Sequence, residues 1–569
     1  MNKKWKLFET APHELAPSLD NLHPIVGRLL YNRGLRSAEQ IDYFLHPDKE
    51  LDPFLFADMQ AAVELTVKHI KALNRIVICG DYDADGVSSS AIMCETLRAL
   101  SAKVEVWIPS RFGQGYGLSR EIVQELKDQG FSLIITVDNG IRAKAEAEFA
   151  QSLGMDIIIT DHHAGPPTRE EEPQCLLIDP ILEHENYPFK YLCGAGVAYK
   201  FASALIASST LSQEEKENLK NKIIDLAAIG TIADCVTLLG ENRLLASRGL
   251  AAINRRPRLG IRELAKVAGI SGELDAWNVS WQITPRLNVA GRLDHANTAY
   301  QLLMTKDGDE ARSIAGELNQ RNIERQTMTK TIVEEACLEI EANQLNEKLL
   351  IAISPNVLDE GKVGWNEGVI GLAAGRLAEK YSRPCFVITR SEGVIKGSGR
   401  SVEQFNLVDA LEAGKEQLSR YGGHKMACGF TLKSLADLDD FVLKVKAQAE
   451  QDLKGVDLSP ILMIDAEIEI SQINDELIEA VNLFKPFGQD NPEPKFMSRS
   501  ALDEIIIMGK DKTHIKFRFG RCWALAFGRA EELSHLKTGD IIDFVYTVGF
   551  NEFNGRREAQ LKIVDLKIV

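Results

Sequence analysis

The side chains best suited to chemistry are acidic and recur at regular points. Asp81, Asp83 and Asp85 alternate with Tyr82 and Ala84 in DYDADG, directly after the apolar run IVICG (76–80). LIITV (133–137) leads into Asp138-Asn139-Gly140, and DIIIT (156–160) leads into Asp161-His162-His163. Asp234 follows the apolar stretch IIDLAAIGTIA. Carboxylates crowded in this way repel one another unless cations balance them. Carboxylate and imidazole donors together suit Mn2+ or Mg2+ better than a soft metal. Two such ions side by side can hold a water, lower its pKa and clamp a phosphate. Each cluster also has a plainer reading. VDNG alone is a turn, since Asp and Asn-Gly favour turns, and DYDADG alone resembles the opening of an EF-hand calcium loop. That loop follows a helix and carries Glu at its twelfth position. Here a strand-like run precedes it and the twelfth residue is Ile92.

What turns three separate clusters into one candidate site is the set of elements that carries them. IVICG, VEVWI (104–108), LIITV and DIIIT alternate with the helical patterns SSSAIMCETLRAL, SREIVQELKDQG and RAKAEAEFAQSLG. Continuous apolar runs between amphipathic helices predict a parallel sheet covered on both faces. CLLID (175–179) is a further candidate strand. In open sheets of this kind ligands bind beyond the carboxyl ends of the strands, so all three acidic clusters are expected on one edge.

The rest of the 569 residues divides by pattern. Residues 1–70 read as a mainly helical extension and 71–300 as the α/β catalytic domain. Residues 301–345 read as a helical connector, within a long polar helical pattern over 297–343 that Gly308 breaks. A second α/β domain begins with LLIAIS (349–354) and occupies 346–452. Residues 456–569 contain short strands separated by turn signals, the pattern of a small β-barrel of the OB type. In His514-Ile515-Lys516-Phe517-Arg518-Phe519, period-two alternation puts Lys516 and Arg518 on one face and turns Phe517 and Phe519 to the core. Arg521, Arg556 and Arg557 are expected nearby. OB barrels bind single strands with basic grooves and stacked aromatics.

The net charge of −16 opposes a nucleic-acid reading, because phosphate binding needs local positive charge. The charge is uneven, however. From Ser498 onward there are 12 Lys and Arg against 10 Asp and Glu, so the tail is slightly basic. The nine cysteines are scattered and form no CxxC pair, which argues against structural zinc. No run is long and apolar enough for a membrane span, and the N-terminus lacks a secretory pattern, so a cytoplasmic protein is expected. P-loop and GxSxG patterns are missing, and GAGVAY (194–199) is an incomplete dinucleotide loop.

With VICGDYDADG, ITVDNG, TDHH and IGTIADCV in this order, the chain resembles the DHH phosphoesterase superfamily. LCGAGVAYK (192–200), PRLNVAGRL (285–293), WNEGVIGLAAGRL (365–377), GSGRS (397–401), GGHKMACGF (422–430) and PFGQDNPEPKF (486–496) narrow the resemblance to the bacterial RecJ family. It implies a DHH domain, a DHHA1-like domain and an OB domain. It also implies a single-strand-specific DNA exonuclease of repair and recombination that works 5′ to 3′ and releases mononucleotides.

Residue by residue, the resemblance makes Asp83, Asp85, Asp138, His162 and Asp234 ligands of two Mn2+ or Mg2+ ions, with Asp138 bridging. Asp81 lies in the same motif. His163 takes a phosphate-contacting or proton-handling role. Many superfamily members carry His where this chain has Cys79, which leaves open whether Asp81 or Cys79 completes the first metal. Arg292, and Ser398, Arg400, Gly422, Gly423 and His424 in the second α/β domain, resemble phosphate-binding positions. Glycines let backbone N–H groups approach an anion and Arg adds a bidentate donor, whereas GGH without the resemblance is a turn. Lys516 and Arg518 are candidates for DNA contact. A single-strand-binding protein and a RecQ-like helicase are the implied partners of a monomer.

Overall fold

A computed structural model describes residues 3–9, 22–109, 117–293, 297–359, 364–553 and 556–569. The side chains of Arg292 and Arg556 lie outside what it describes. The chain divides into two compact units, Trp5–Gly316 with Met463–Val569, and Met1–Lys4 with Glu317–Leu462.

The first unit contains the expected parallel sheet. Its strands are β1 (Arg75–Gly80), β2 (Lys103–Trp107), β3 (Phe131–Val137), β4 (Asp156–Thr160) and β5 (Leu176–Ile178), in the order β2-β1-β3-β4-β5. All neighbours run parallel. The apolar runs are continuous because helices cover both faces. Register pairs Gly80 with Val137, Val137 with Thr160, and Thr160 with Ile178. Asp81, Asp138, Asp161 and Asp179 therefore leave four neighbouring strands at the same level. Strands β1 and β3 flank the point where strand order reverses, the usual crevice for a ligand.

Three helices build the floor of that crevice. These are α1 (Ala84–Ala99), α2 (Gly194–Ala207) and α3 (Gln213–Ala233), which pack on one another. Residues 84–97 of α1 are all buried. Their small side chains, Ala84, Gly86, Ser88, Ser89, Ser90 and Ala91, suit a helix enclosed on every side. A helical run follows through Ala276–Asn278, a π-helical turn at Val279–Ile283 and α4 (Thr284–Leu293). The polar stretch after it forms Asn297–Met304 and then α5 (Gly308–Asn343, 36 residues). The break falls at 305–307, and Gly308 opens the second helix.

The C-terminal part of the same unit is a seven-stranded sheet of β11 (Ala466–Glu467), β12 (Phe496–Ala501), β13 (Glu504–Met508), β14 (His514–Phe519), β15 (Cys522–Ala526), β16 (Ile541–Phe553) and β17 (Arg556–Ile568). Their order is β11-β12-β16-β17-β15-β14-β13, and no pairing joins β11 to β13 among the described residues. Phe517 and Phe519 are buried as expected, with Phe519 stacked 4.1 Å from Phe544. Residues 1–70 do more than extend the chain. They open with a strand (Lys4–Leu7), and helices Pro24–Asn32 and Ala38–Leu45 share one core with Phe484, Phe496 and Phe517. Buried Arg243 donates to the carbonyls of Phe44, Leu483 and Phe484, which ties this core to the helices behind the parallel sheet.

The second unit holds β6 (Leu350–Ile353), helix α6 (Glu367–Tyr381), β7 (Cys385–Ser391), β8 (Val394–Arg400), β9 (Leu418–His424) and β10 (Ala427–Leu432), with sheet order β9-β10-β8-β7-β6. Only β6 and β7 pair in parallel. Among the described residues no helix is long and apolar enough to cross a membrane.

Candidate metal centre

The loop after β1 is fixed by backbone bonds. Asp83 caps α1, its carboxylate accepting from the N–H groups of Asp85 and Gly86 at 2.9 and 3.1 Å. The Ala84 N–H donates to Asn288 Oδ1 on α4 at 2.7 Å. Asp85 lies against the start of α2, accepting from the N–H groups of Gly194 and Ala195 at 2.7 and 2.9 Å. A helix N-terminus favours a carboxylate there. The fit depends on missing side chains. A Cβ on Gly194 would stand 2.5 Å from that of Asp138, and one on Gly230 would run into Ala195 and Asp85. Asp138 itself adopts φ +62°, a left-handed conformation costly for most residues and tolerated by Asp.

These constraints bring the predicted donors together. Donor atoms of Asp85, His162 and Asp234 lie within 4.8 Å of one another, as do those of Asp81, Asp83 and Asp138, and those of Asp138, His162 and His163. Asp138 and His162 each belong to two groups. His162 Nε2 is 3.1 Å from Asp138 Oδ1, 3.7 Å from Asp234 Oδ2 and 3.9 Å from Asp85 Oδ2. The buried oxygens Asp81 Oδ1 and Asp138 Oδ1 have no hydrogen-bond partner. The His162 ring is near the latter without the alignment of a hydrogen bond. Cys79 joins no donor group among the described residues. It is buried, and burial pushes its thiol up.

Electrostatics follow from the crowding. Burial, then the charge of Asp83, raises Asp81 well above the carboxylate range and Asp85 to about 6. Burial and then the charges of Asp85, Asp83, Asp81 and Asp234 raise Asp138, and burial with Asp85 and Asp83 raises Asp234. Burial, and then the His163 charge, lowers His162 to about 4. Burial also opposes charge on His163, but its bond to Asp161 outweighs this, with the charges of Asp161, Asp234 and Asp81, and takes it up to about 9. Asp161 is the anchor, accepting from His163 Nδ1 at 2.8 Å and from the N–H groups of Ile141, His162 and His163.

Asp161 carries no role in the sequence reading, although it ends β4 as Asp81 ends β1, and that repeat was the available signal. Asp179 ends β5 in the same row, buried, with Oδ2 unpartnered. Gly194, Ala195 and Asn288 act through backbone approach and one amide oxygen, for which the sequence holds no separate signal.

The remaining predicted residues fall into two places. In the second unit GSGR (397–400) and GGH (422–424) are strand residues. GGH is therefore not a turn, and the turn falls at Lys425-Met426. Ser398 pairs across Gly429 with Gly422, and Arg400 across Ala427 with His424, which makes two alternate rows over three strands. Ser398 and Arg400 share the face under α6, where a Cβ on Gly371 would come 3.0 Å from Ser398 Oγ. Gly397 and Gly399 serve packing, since side chains there would run into the Phe430 and Phe386 rings. Gly423 has φ +145° and no room for a side chain, while Gly422 faces open space. In the C-terminal sheet, Lys516 Nζ sits 4.0 Å over the Trp523 ring, with the Arg518 guanidinium 5.9 Å from it and 3.3 Å from Glu504. Arg521 bonds the carbonyls of Ser471 and Ile473, and Arg557 pairs with Glu479 over the Phe550 ring. Arg292 lies in α4, with its side chain outside the described residues.

A parallel sheet that gathers aspartates and histidines at its switch point is the arrangement of the DHH phosphoesterases. The chain matches the DHH family, N-terminal domain, over residues 75–231, the DHHA1 domain over 346–451 and the RecJ OB domain over 464–565. It is 37% identical over 578 residues to the single-stranded-DNA-specific exonuclease RecJ of Bacillus subtilis (strain 168), covering 99% of this chain and 71% of that relative. RecJ of Thermus thermophilus in complex with Mn2+ superposes with a TM-score of 0.82 at 30% identity, over 99% of this chain and 79% of that one. The same protein with Mg2+ gives 0.77 at 28% identity, over 99% and 78%. The chain belongs to the RecJ family.

Proposed function

We propose that this chain is a metal-dependent exonuclease that hydrolyses phosphodiester bonds of single-stranded DNA from the 5′ end, releasing mononucleotides in repair and recombination. The observation that carries the reading is Asp138, a buried carboxylate with an unpartnered oxygen shared by two donor groups. The RecJ relatives, single-stranded-DNA-specific exonucleases by name, supply the substrate. The donor chemistry fits Mn2+ or Mg2+, because oxygen and imidazole donors converge on buried carboxylates whose neighbours oppose their ionisation. Asp81, Asp83, Asp85, Asp138, His162 and Asp234 would hold two ions, Asp138 being the residue common to two of the donor groups. When bound, the ions supply a polarised water and neutralise the scissile phosphate.

The chain's own residues do the rest. The N–H groups of Gly194 and Ala195 hold Asp85 rigid, and Asp161 orients His163. His163 donates from its other ring nitrogen to a phosphate oxygen as charge builds there. Arg292 takes a neighbouring phosphate. Ser398, Arg400, Gly422, Gly423 and His424 hold a terminal phosphate, and Lys516 and Arg518 guide the strand further along. On this reading the enzyme acts as a cytoplasmic monomer on strands supplied by a RecQ-like helicase and a single-strand-binding protein.

A digest of 5′- and 3′-labelled single and double strands, with Mn2+ added or omitted, tests this. Metal-dependent release of labelled mononucleotide from the 5′ end of single strands alone is expected. Cleavage of dinucleotides with long strands left intact would overturn it.

A further inference from the structure

The chain has six tryptophans, and four are at least half-buried. Three of those four have partners, Trp5 on Asp565, Trp365 on Glu335 and Trp523 beneath Lys516. Trp277 and Trp281 differ. They are 58% and 67% exposed, and neither indole N–H has a hydrogen-bond partner among the described residues. They stand at i and i+4 on one helical run, so they share a face. The opposite face is anchored, because Val279 and Ile283 are buried and this segment packs on α3, the helix that ends at Asp234.

The backbone between the two tryptophans enters a π-helical turn, Val279–Ile283. Such turns are rare and frequently mark functional sites. The same run continues into α4, which touches the metal centre directly. Asn288 Oδ1 accepts from the Ala84 N–H, and a Cβ on Gly291 would stand 2.7 Å from the Tyr82 carbonyl oxygen. Trp281 precedes Asn288 by seven residues and Trp277 by eleven, about 10 Å and roughly 16 Å of helix.

We propose that Trp277 and Trp281 form a stacking platform for the bases of the single strand, a few nucleotides from the reacting phosphate. The platform rests on the reading of the metal centre as a single-strand nuclease. Bases stack on aromatic faces without regard to sequence, each contact changing affinity by roughly tenfold when the aromatic is removed. An indole N–H with no partner adds a donor for base or phosphate oxygen. The two rings stand one helical turn apart, on the helix that meets the metal loop, and this places them along the path a strand takes from that loop.

The test measures binding of fluorescein-labelled dT12 by anisotropy in EDTA, for wild type, Trp277→Ala/Trp281→Ala and Trp281→Phe. It also uses dT12 made abasic at its second to fifth nucleotides from the 5′ end. The double variant is expected to bind dT12 about tenfold or more weakly. It should bind the abasic strand as wild type does, and Trp281→Phe should keep most of the affinity. In steady state with Mn2+ the loss should appear in KM rather than kcat. Equal loss on both strands, or wild-type binding of dT12 by the double variant, overturns the platform. So does sedimentation of wild type as a dimer that the substitutions dissociate with DNA binding unchanged, since the face then serves a second copy. If wild type itself neither binds nor cleaves single strands, it is the nuclease reading that fails.

Discussion

The switch point of the parallel sheet and the glycine-spaced strands β8, β9 and β10 handle polar groups in opposite ways. At the first, Asp81, Asp85 and Asp138 are buried close together, and two of their oxygens have no partner. At the second, Ser398 and Arg400 are half-buried and His424 is exposed, and Ser398 Oγ donates to the Cys428 carbonyl and Arg400 Nη1 to that of Gly399. The first region holds unfavourable electrostatics that a cation relieves. The second is already balanced and presents its groups at spacings set by register. Substitutions should therefore trade activity against metal-free stability in the first region, and act on affinity in the second.

The largest effect is expected at Asp138. Asp138→Asn should abolish Mn2+-dependent cleavage, a loss of about a thousandfold or more, since on the proposed reading one carboxylate serves both ions. In EDTA its melting temperature should equal or exceed that of wild type, because the lost charge is one that burial and four carboxylates oppose. Wild type should gain stability from Mn2+, about 2.7 kcal/mol at a hundred times Kd, and the variant should lose most of that gain in calorimetry. A metal-free variant that melts well below wild type would break the contrast. The pH dependence has a definite sign. Asp85 is raised in the folded protein from its ordinary 3.8 to about 6, so its contribution is favourable at low pH and is lost as pH rises through the folded value. Metal-free wild type should thus lose stability relative to Asp85→Asn between about pH 4 and 7.

The next effect is in the second region. Arg400→Ala should raise KM for 5′-phosphorylated strands by about 10- to 100-fold, the worth of a charge-assisted hydrogen bond, with a smaller change in kcat. A loss confined to kcat would place Arg400 in the chemistry and erase the contrast. Two glycine substitutions sharpen it at lower cost. Gly397→Ala drives a methyl into the Phe430 ring and should cost about 1–3 kcal/mol of stability in denaturant melts. Gly422→Ala meets open space and should leave stability within about 0.5 kcal/mol, so any rise in KM there reports a backbone held close to the phosphate.

The same contrast explains what the sequence disclosed. Asp81, Asp138 and His162 were legible because they lie one or two residues beyond apolar runs, and a parallel sheet puts all such ends on one edge. The type of residue and the period of the pattern carried that inference together. Asp161 and Asp179 obey the same rule and received no role, because neither residue type nor spacing separates an anchor from a ligand. Gly194, Ala195 and Asn288 lie far along the chain and act through main-chain N–H groups or one amide, which only the folded packing brings into place. In the second region GGH looked like a turn, since glycines loosen local pattern. Its place in a strand is set by pairing with Gly429 and Cys428, whose backbone leaves Gly423 no room for a side chain.

The smallest effect is expected on strand β14, where Lys516 is half-buried against Trp523 and Arg518 is exposed. Lys516→Ala should weaken single-strand binding only a few-fold and lower the slope of log affinity against log salt by about one, the mark of one lost phosphate contact. Part of the ammonium's attraction is already spent on Trp523, 4.0 Å away. Arg518→Ala should do less still, because Glu504 lies 3.3 Å from its guanidinium and competes with a phosphate. Arg521→Ala should leave the salt slope unchanged and lower stability by about 1 kcal/mol, since its bonds go to the Ser471 and Ile473 carbonyls. Salt titrations of the three variants against one labelled strand would rank them. If Arg521 gave the steepest change, basic residues on this sheet would be read by number rather than by face, and the alternation that placed Lys516 opposite Phe517 would have no bearing on how DNA is held.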